Sequence, residues 1–145
     1  MKLLIQRVSR AKVKVDDKTV GEIGKGYLVL LGIKKTDTEQ EVKQCVDKLI
    51  KLRIMSDKDN KMNLSIKDAN AQVLVVSQFT LYADLSKGNR PSFIKAADPL
   101  KALQLYELFV NTLKNFGIKV STGRFGAYMV IDAKLDGPAT VIVDK

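Results

Sequence analysis

Gly26-Tyr27-Leu28-Val29-Leu30-Leu31-Gly32-Ile33 is an apolar run punctuated by two glycines. It is too short for a membrane span and shows no alternation of polar and apolar residues, which predicts a strand buried on both faces. Val73-Leu74-Val75-Val76 is a second run of this kind and leads into Ser77-Gln78-Phe79-Thr80-Leu81. Upstream, Leu3 to Val8 and Ala11 to Val15 read as two short strands, with Asp16-Asp17-Lys18 as a polar turn. Between the buried runs lies a helix. Thr38 with Glu41, or Thr36 with Glu39, makes a capping box, and Val42, Cys45, Val46, Leu49 and Ile50 follow at helical spacing. A second helix starts at Asp98 as N-cap with Pro99 at its first position. Leu100, Leu103, Tyr106, Leu113 and Phe116 form its expected apolar face, and Gly117 fits its end. Met129-Val130-Ile131 and Ala139 to Val143 read as closing strands around a turn at Asp136-Gly137-Pro138. Many strands with two good helices predict an α+β fold with a mixed or largely antiparallel sheet.

The length of 145 residues suits one compact domain, residues 1–145, with no repeat or linker to divide it. A formal charge of +9 points to a polyanionic partner. The absence of histidine excludes a Ser-His-Asp triad, a Cys-His dyad and His-ligated zinc. Cys45 is the single cysteine, so neither an internal disulfide nor a cysteine cluster can form, and on the inward stripe it reads as a structural thiol. No metal and no cofactor are expected. Met1-Lys2-Leu3-Leu4-Ile5-Gln6-Arg7 reaches charge too early for a secretion signal, and no run approaches ~18 apolar residues. A cytoplasmic location without membrane contact is expected.

Four stretches could carry chemistry. Gly21-Glu22-Ile23-Gly24-Lys25-Gly26 lacks both the dinucleotide order and a Walker lysine, and reads as a tight connection. Lys87-Gly88-Asn89-Arg90-Pro91-Ser92-Phe93 is a basic loop in which Lys87 and Arg90 could neutralise phosphates. Ser77-Gln78-Phe79-Thr80 places polar side chains where a buried strand stops. Such hydroxyls often bond local backbone, but strand-end N–H groups can also polarise an ester carbonyl without any titrating side chain. At Asp136-Gly137-Pro138 a cis Gly–Pro bond would form a rigid pair of acceptor carbonyls, although few X–Pro bonds are cis.

With these last two motifs, the whole chain closely resembles the D-aminoacyl-tRNA deacylase (D-tyrosyl-tRNA deacylase) family. The likeness also includes Ile5-Gln6-Arg7-Val8, Gly21-Glu22-Ile23-Gly24, Lys61-Met62-Asn63-Leu64, Gly88 to Phe93, Thr122 to Ala127 and Asp136 to Thr140. It implies a barrel-like sheet and a homodimer with active sites at the subunit interface. Ser77, Gln78, Phe79 and Thr80 would line the pocket floor, with Phe79 and Thr80 beside the scissile ester. Gly137–Pro138 would be cis and enter the partner's pocket, excluding L-aminoacyl groups while admitting glycine, and Arg7 would hold that element. Phe125 and Met129 match apolar positions near the pocket. The substrate implied is aminoacyl-tRNA, bound at its 3′-terminal adenosine and carrying a D-residue, or glycine misplaced on tRNA-Ala.

One position departs from the pattern: Leu135 stands where relatives usually have asparagine, so the support of the late turn is open. Asn60, often glycine in relatives, tolerates positive φ. Two sources of attack are compatible with the residues, Thr80 itself or water assisted by the adenosine 2′-hydroxyl. The second is favoured, because nothing nearby in sequence deprotonates Thr80. A non-catalytic nucleic-acid-binding module and a proofreading domain of a tRNA synthetase are the rival readings.

Overall fold

The computed structural model describes residues 1–145. Strand β1 (Lys2–Val15) turns through Asp16 and Asp17, both with positive φ, into β2 (Lys18–Ile23). Two consecutive left-handed residues give the turn the twist that a tight hairpin needs. β3 (Gly26–Gly32) continues in the same direction, so β2 and β3 together pair antiparallel along one edge of β1. The final strand, β8 (Val130–Asp144), runs antiparallel along its other edge.

From β3 the chain crosses through α1 (Glu39–Lys51) and a small hairpin, β4 (Met55–Ser56) with β5 (Met62–Leu64). It then enters β6 (Gln72–Ser77), parallel to β3. A second crossover through α2 (Pro99–Asn115) delivers β7 (Lys119–Thr122), parallel to β6. The sheet order is β2-β1-β3-β6-β7, with β8 on β1. β7 curls back toward β2, where Ser121 Oγ donates to the Glu22 carbonyl at 2.8 Å. The result is a mixed, nearly closed, barrel-like sheet in one domain with two helices.

Both helices lie on the outer face of this sheet. Val42, Cys45, Val46 and Leu49 of α1 join Leu105, Tyr106, Phe109, Val110 and Leu113 of α2 in a core of 25 buried residues, with Leu3, Ile5, Val29, Leu31, Val73 and Val75 below them. A smaller cluster of 7 fills the concave side, from Val8, Ala11, Val13, Ile23, Leu28, Leu74 and Val76. Tyr27, Val29 and Leu31 therefore serve the helix layer and Leu28 the inner one, which is why this run has no polar member. The caps are as read: Thr38 and Glu41 close a capping box, and Asp98 accepts from Lys101 N ahead of Pro99. Cys45 is fully buried, and burial pushes its thiol up to about 11.

Several readings need correction. Leu3–Val8 and Ala11–Val15 are one strand, because pairing with β8 carries the chain through exposed Ser9 and Arg10 while β3 and β2 share the other edge on either side of them. The two closing strands are likewise one, and Asp136–Ala139 bulges out of it rather than turning it. Leu100 and Phe116 of the expected α2 stripe are 68% and 46% exposed, because the ends of the helix overhang the sheet. Its buried face instead uses Leu105, Phe109 and Val110 beside Tyr106 and Leu113. Gly21 to Ile23 belongs to β2, so only Gly24 and Lys25 connect.

Candidate active site

β6 is buried through Val76; its pairing with β7 ends at Val75 and with β3 at Ser77, after which the chain leaves the sheet. Gln78 N donates to the Leu31 carbonyl at 2.8 Å, and a 3₁₀ turn, Phe79–Tyr82, lies across the end of β3. Glycine eases that crossing, where a side chain would make its neighbours give by a few tenths of an ångström. A Cβ on Gly32 would sit 3.0 Å from Leu81 Cβ and 3.2 Å from the Gln78 carbonyl oxygen. Hydrogen bonding in the turn begins with Leu81 N to the Gln78 carbonyl, 3.3 Å. The N–H groups of Phe79 and Thr80 precede that bond and have no acceptor within the turn. The Gln78 side-chain amide donates to Thr80 Oγ1. Phe79, 57% exposed, meets Phe93 edge-on with ring centroids 4.9 Å apart.

A cavity of about 580 Å³ opens here. Ser77, Gln78 and Phe79 form one side, Phe93, Ala96, Ala97, Pro99 and Ala102 a second, and Phe125 to Met129 a third. Thirteen of its 17 lining residues are hydrophobic, and none is a carboxylate, an amine or a thiol. The walls therefore hold no group that is ionised near neutral pH, and Tyr128 supplies their one phenol. What the site can supply is shape, backbone donors and the exclusion of water.

Tyr106 was read from the sequence only as helix stripe, yet it joins two of these walls. Its hydroxyl, buried in α2, donates to the Val75 carbonyl at 2.9 Å, and its ring centroid lies 5.7 Å from that of Phe125. Gly123 N donates to the same carbonyl at 3.1 Å. Burial pushes the Tyr106 phenol up to about 12, so it remains a donor across the neutral range. No motif signalled this role, because the acceptor is a backbone atom on a distant strand.

The second part of the site is on β8. Gln6 pairs with Thr140 and Val8 with Leu135, so Asp136, Gly137, Pro138 and Ala139 are opposed by Arg7 alone. Arg7 is 7% exposed and clamps this bulge. Its Nε donates to the Asp136 carbonyl at 3.0 Å and lies 3.3 Å from Asp136 Oδ2. Its Nη1 donates to the Ile54 carbonyl at 2.8 Å and to Ser56 Oγ at 3.0 Å. Gly137 has φ +124°, and a Cβ on it would lie 2.8 Å from Arg7 Nη2. The Gly137–Pro138 peptide is cis, and both residues are exposed. Leu135 is exposed and hydrogen-bonds through no side-chain atom, so the bulge takes its polar support from Arg7 and Asp136.

Within one chain, then, Ser77, Gln78, Phe79, Phe125 and Met129 come together in the cavity. Thr80 is exposed beside it, whereas Arg7, Gly137 and Pro138 are not among its lining residues. Lys87 and Arg90 are exposed on a loop whose base is an Asp84–Ser92 bridge. Hydrogen bonding to Ser86 and then the Lys95 ammonium hold Asp84 at about 2.

Comparison with known proteins decides the family. The family described as D-Tyr-tRNA(Tyr) deacylase matches residues 4–144. The chain belongs to this family. Hydrolysis of the ester bond of D-aminoacyl-tRNA is the activity that membership carries. Among its relatives, a D-aminoacyl-tRNA deacylase of Thermosipho africanus is 51% identical over all of this chain and 97% of that protein. Another of that name, from Thermotoga petrophila, is 53% identical with the same coverage. Of solved structures, one titled c-Myc DNA Unwinding Element Binding Protein is 37% identical, with a TM-score of 0.94 over 100% of this chain and 99% of its own. A probable eukaryotic D-amino acid tRNA deacylase shares the fold at 18% identity, with a TM-score of 0.88 over 99% and 98% of the two chains.

Proposed function

We propose that this deacylase binds the 3′-terminal adenosine and its D-aminoacyl ester in the cavity at the end of β6. A Gly137–Pro138 bulge from a second copy of the chain completes the site. The separation of the two parts within one chain carries this reading: the cavity and the clamped bulge share no lining residue, although both are exposed. A second copy is also supported by the open face of the sheet. Ile142, Leu4 and Leu30 lie in register across β8, β1 and β3, with Leu4 and Leu30 half-buried and Ile142 left 63% exposed.

In hydrolysis, water oxygen bonds to the ester carbonyl carbon and the bond to the ribose oxygen breaks. The proton lost by water ends on that ribose oxygen, releasing the amino acid and tRNA with a free terminal hydroxyl. Negative charge that builds on the carbonyl oxygen is met by the N–H groups of Phe79 and Thr80. With no carboxylate, amine or imidazole in the walls, the adenosine 2′-hydroxyl assists the water, and Thr80 is a positioning hydroxyl held by Gln78. Main-chain atoms at Gly137 and Pro138 read the α-carbon and barely contact the side chain. Many D-residues therefore enter, as does glycine misplaced on tRNA-Ala, while L-residues collide. This is a proofreading step in translation, carried out in the cytoplasm, with Lys87 and Arg90 meeting tRNA phosphates away from the cavity.

Mixed dimers test the arrangement. One chain carries Ala102→Trp, which fills its cavity, and the other carries Gly137→Ala, which disturbs its bulge. If the bulge serves the partner, the single open cavity faces an intact bulge, and rejection of L-tyrosyl-tRNA returns to the wild-type level. A mixed dimer as unselective as the Gly137→Ala homodimer defeats the reading.

A further inference from the structure

On the α2 side of the cavity, three short segments form the wall, and each places a lysine directly beside a lining residue. Ile33 is followed by Lys34 and Lys35, Lys95 precedes Ala96, and Lys101 precedes Ala102. Backbone hydrogen bonds join the segments. Lys35 N donates to the Lys95 carbonyl at 3.1 Å, and Ala97 N donates to the Ile33 carbonyl at 3.0 Å. Lys101 Nζ reaches the Lys35 carbonyl at 2.5 Å, which leaves two of its three protons free.

Neighbouring carboxylates are already engaged. Asp37 is fully buried against the Met1 α-ammonium, Asp84 lies 3.3 Å from Lys95 Nζ, and Asp98 caps α2 through Lys101 N at 3.0 Å. Lys35 and Lys101 form no ion pair with any of them. The cavity itself is apolar, so a phosphodiester cannot follow an adenosine ester inside without losing its hydration uncompensated. The first phosphates outside must therefore lie at the mouth. The opposite wall offers only Arg124 beside Phe125.

We infer that Lys35 and Lys101, with Lys95 beside them, form a phosphate rim for the single-stranded 3′ end of the RNA where it leaves the cavity. The inference rests on the reading that the cavity holds the terminal adenosine. The rim explains how a pocket without charge can favour a polynucleotide over a free nucleoside.

The test compares kcat/KM on D-tyrosyl-adenosine, which has no phosphate, with kcat/KM on a D-tyrosyl trinucleotide ending in adenosine, at several salt concentrations. The wild-type chain should prefer the trinucleotide. In Lys35→Ala/Lys101→Ala that preference should fall on the order of tenfold at low salt, with the gap closing as salt rises and the log–log salt slope shallower by roughly 0.7 per lysine. Lys35→Ala alone, an exposed side chain with no hydrogen bond or ion pair of its own, should give part of the fall if the double variant folds poorly. Lys114→Ala/Lys119→Ala, on the far end of α2 and on β7, is the charge-matched control and should leave the preference as it is. An unchanged preference in the rim variants overturns the inference, as does a fall seen only in Lys87→Ala/Arg90→Ala or in Arg124→Ala. Failure of the wild type to hydrolyse D-tyrosyl-adenosine strikes the reading of the cavity itself, and the rim falls with it.

Discussion

The end of β6 and the bulge of β8 both present backbone to solvent, but they are held by opposite means. At Ser77 to Tyr82 the chain is positioned by the apolar strand that precedes it, by Gly32 beneath it and by backbone hydrogen bonds to β3. At Asp136 to Ala139 four residues depend on one guanidinium that also anchors the β4 strand and the residue before it. The first arrangement spreads its support over many weak contacts. The second concentrates it in one buried cation, so single substitutions should act very differently on the two.

Arg7→Ala breaks the contrast most severely. It leaves the Ile54 and Asp136 carbonyls without their donor, and because Asp136 is part exposed the loss is that of hydrogen bonds from a charged group, about 1.5–3 kcal/mol. Urea unfolding should register that loss, and selectivity between D- and L-tyrosyl-tRNA should collapse in whatever fraction remains folded. Full stability in this variant would show that the bulge is held elsewhere.

Tyr106→Phe probes the other side with a smaller expected effect. The Val75 carbonyl keeps Gly123 N, so removal of the phenol should cost about 1 kcal/mol in the same unfolding measurement. Because Phe125 loses a fixed neighbour, kcat should fall more than KM changes. A loss as large as that of Arg7→Ala would mean that the cavity too hangs on one polar group.

Thr80→Ala should change the rate by less than about tenfold, since loss of a true nucleophile costs orders of magnitude more. Single-turnover hydrolysis of D-tyrosyl-tRNA measures this directly, and a thousandfold drop would restore Thr80 as the attacking group. The smallest expected effect is a pH dependence of the basic loop. Asp84 titrates at about 2 in the fold against an ordinary 3.8. A lowered carboxylate contributes fully above its ordinary value and loses that contribution as pH falls through the folded one. Protection of the amides of residues 84–92, taken against their intrinsic exchange rates, should therefore fall only between about pH 4 and 2, and unchanged protection over that interval would remove Asp84 as the fastener.

Residues whose environment is set by their near neighbours were legible from the chain. The run at Gly26–Gly32 showed a doubly buried strand, Thr38 with Glu41 and Asp98 with Pro99 showed where helices begin, and Ser77 showed where a buried strand stops. β2, β7 and the β4–β5 hairpin were not, since they are short and owe their pairing to distant strands. The same limit hid the exposed ends of α2, whose apolar spacing continues past the sheet that could cover it.

By itself, then, the sequence determined the α+β class, the inward faces of its clearest elements and the motifs that mark the family, because burial and capping are written at spacings of a few residues. Only the tertiary structure decided that Asp136–Ala139 bulges rather than turns, that Tyr106 braces the cavity, and that the segments carrying Lys35, Lys95 and Lys101 come together along one of its walls. Those outcomes come from contacts as far apart in the chain as Arg7 and Asp136, 129 residues, where no local periodicity can record which atoms will meet.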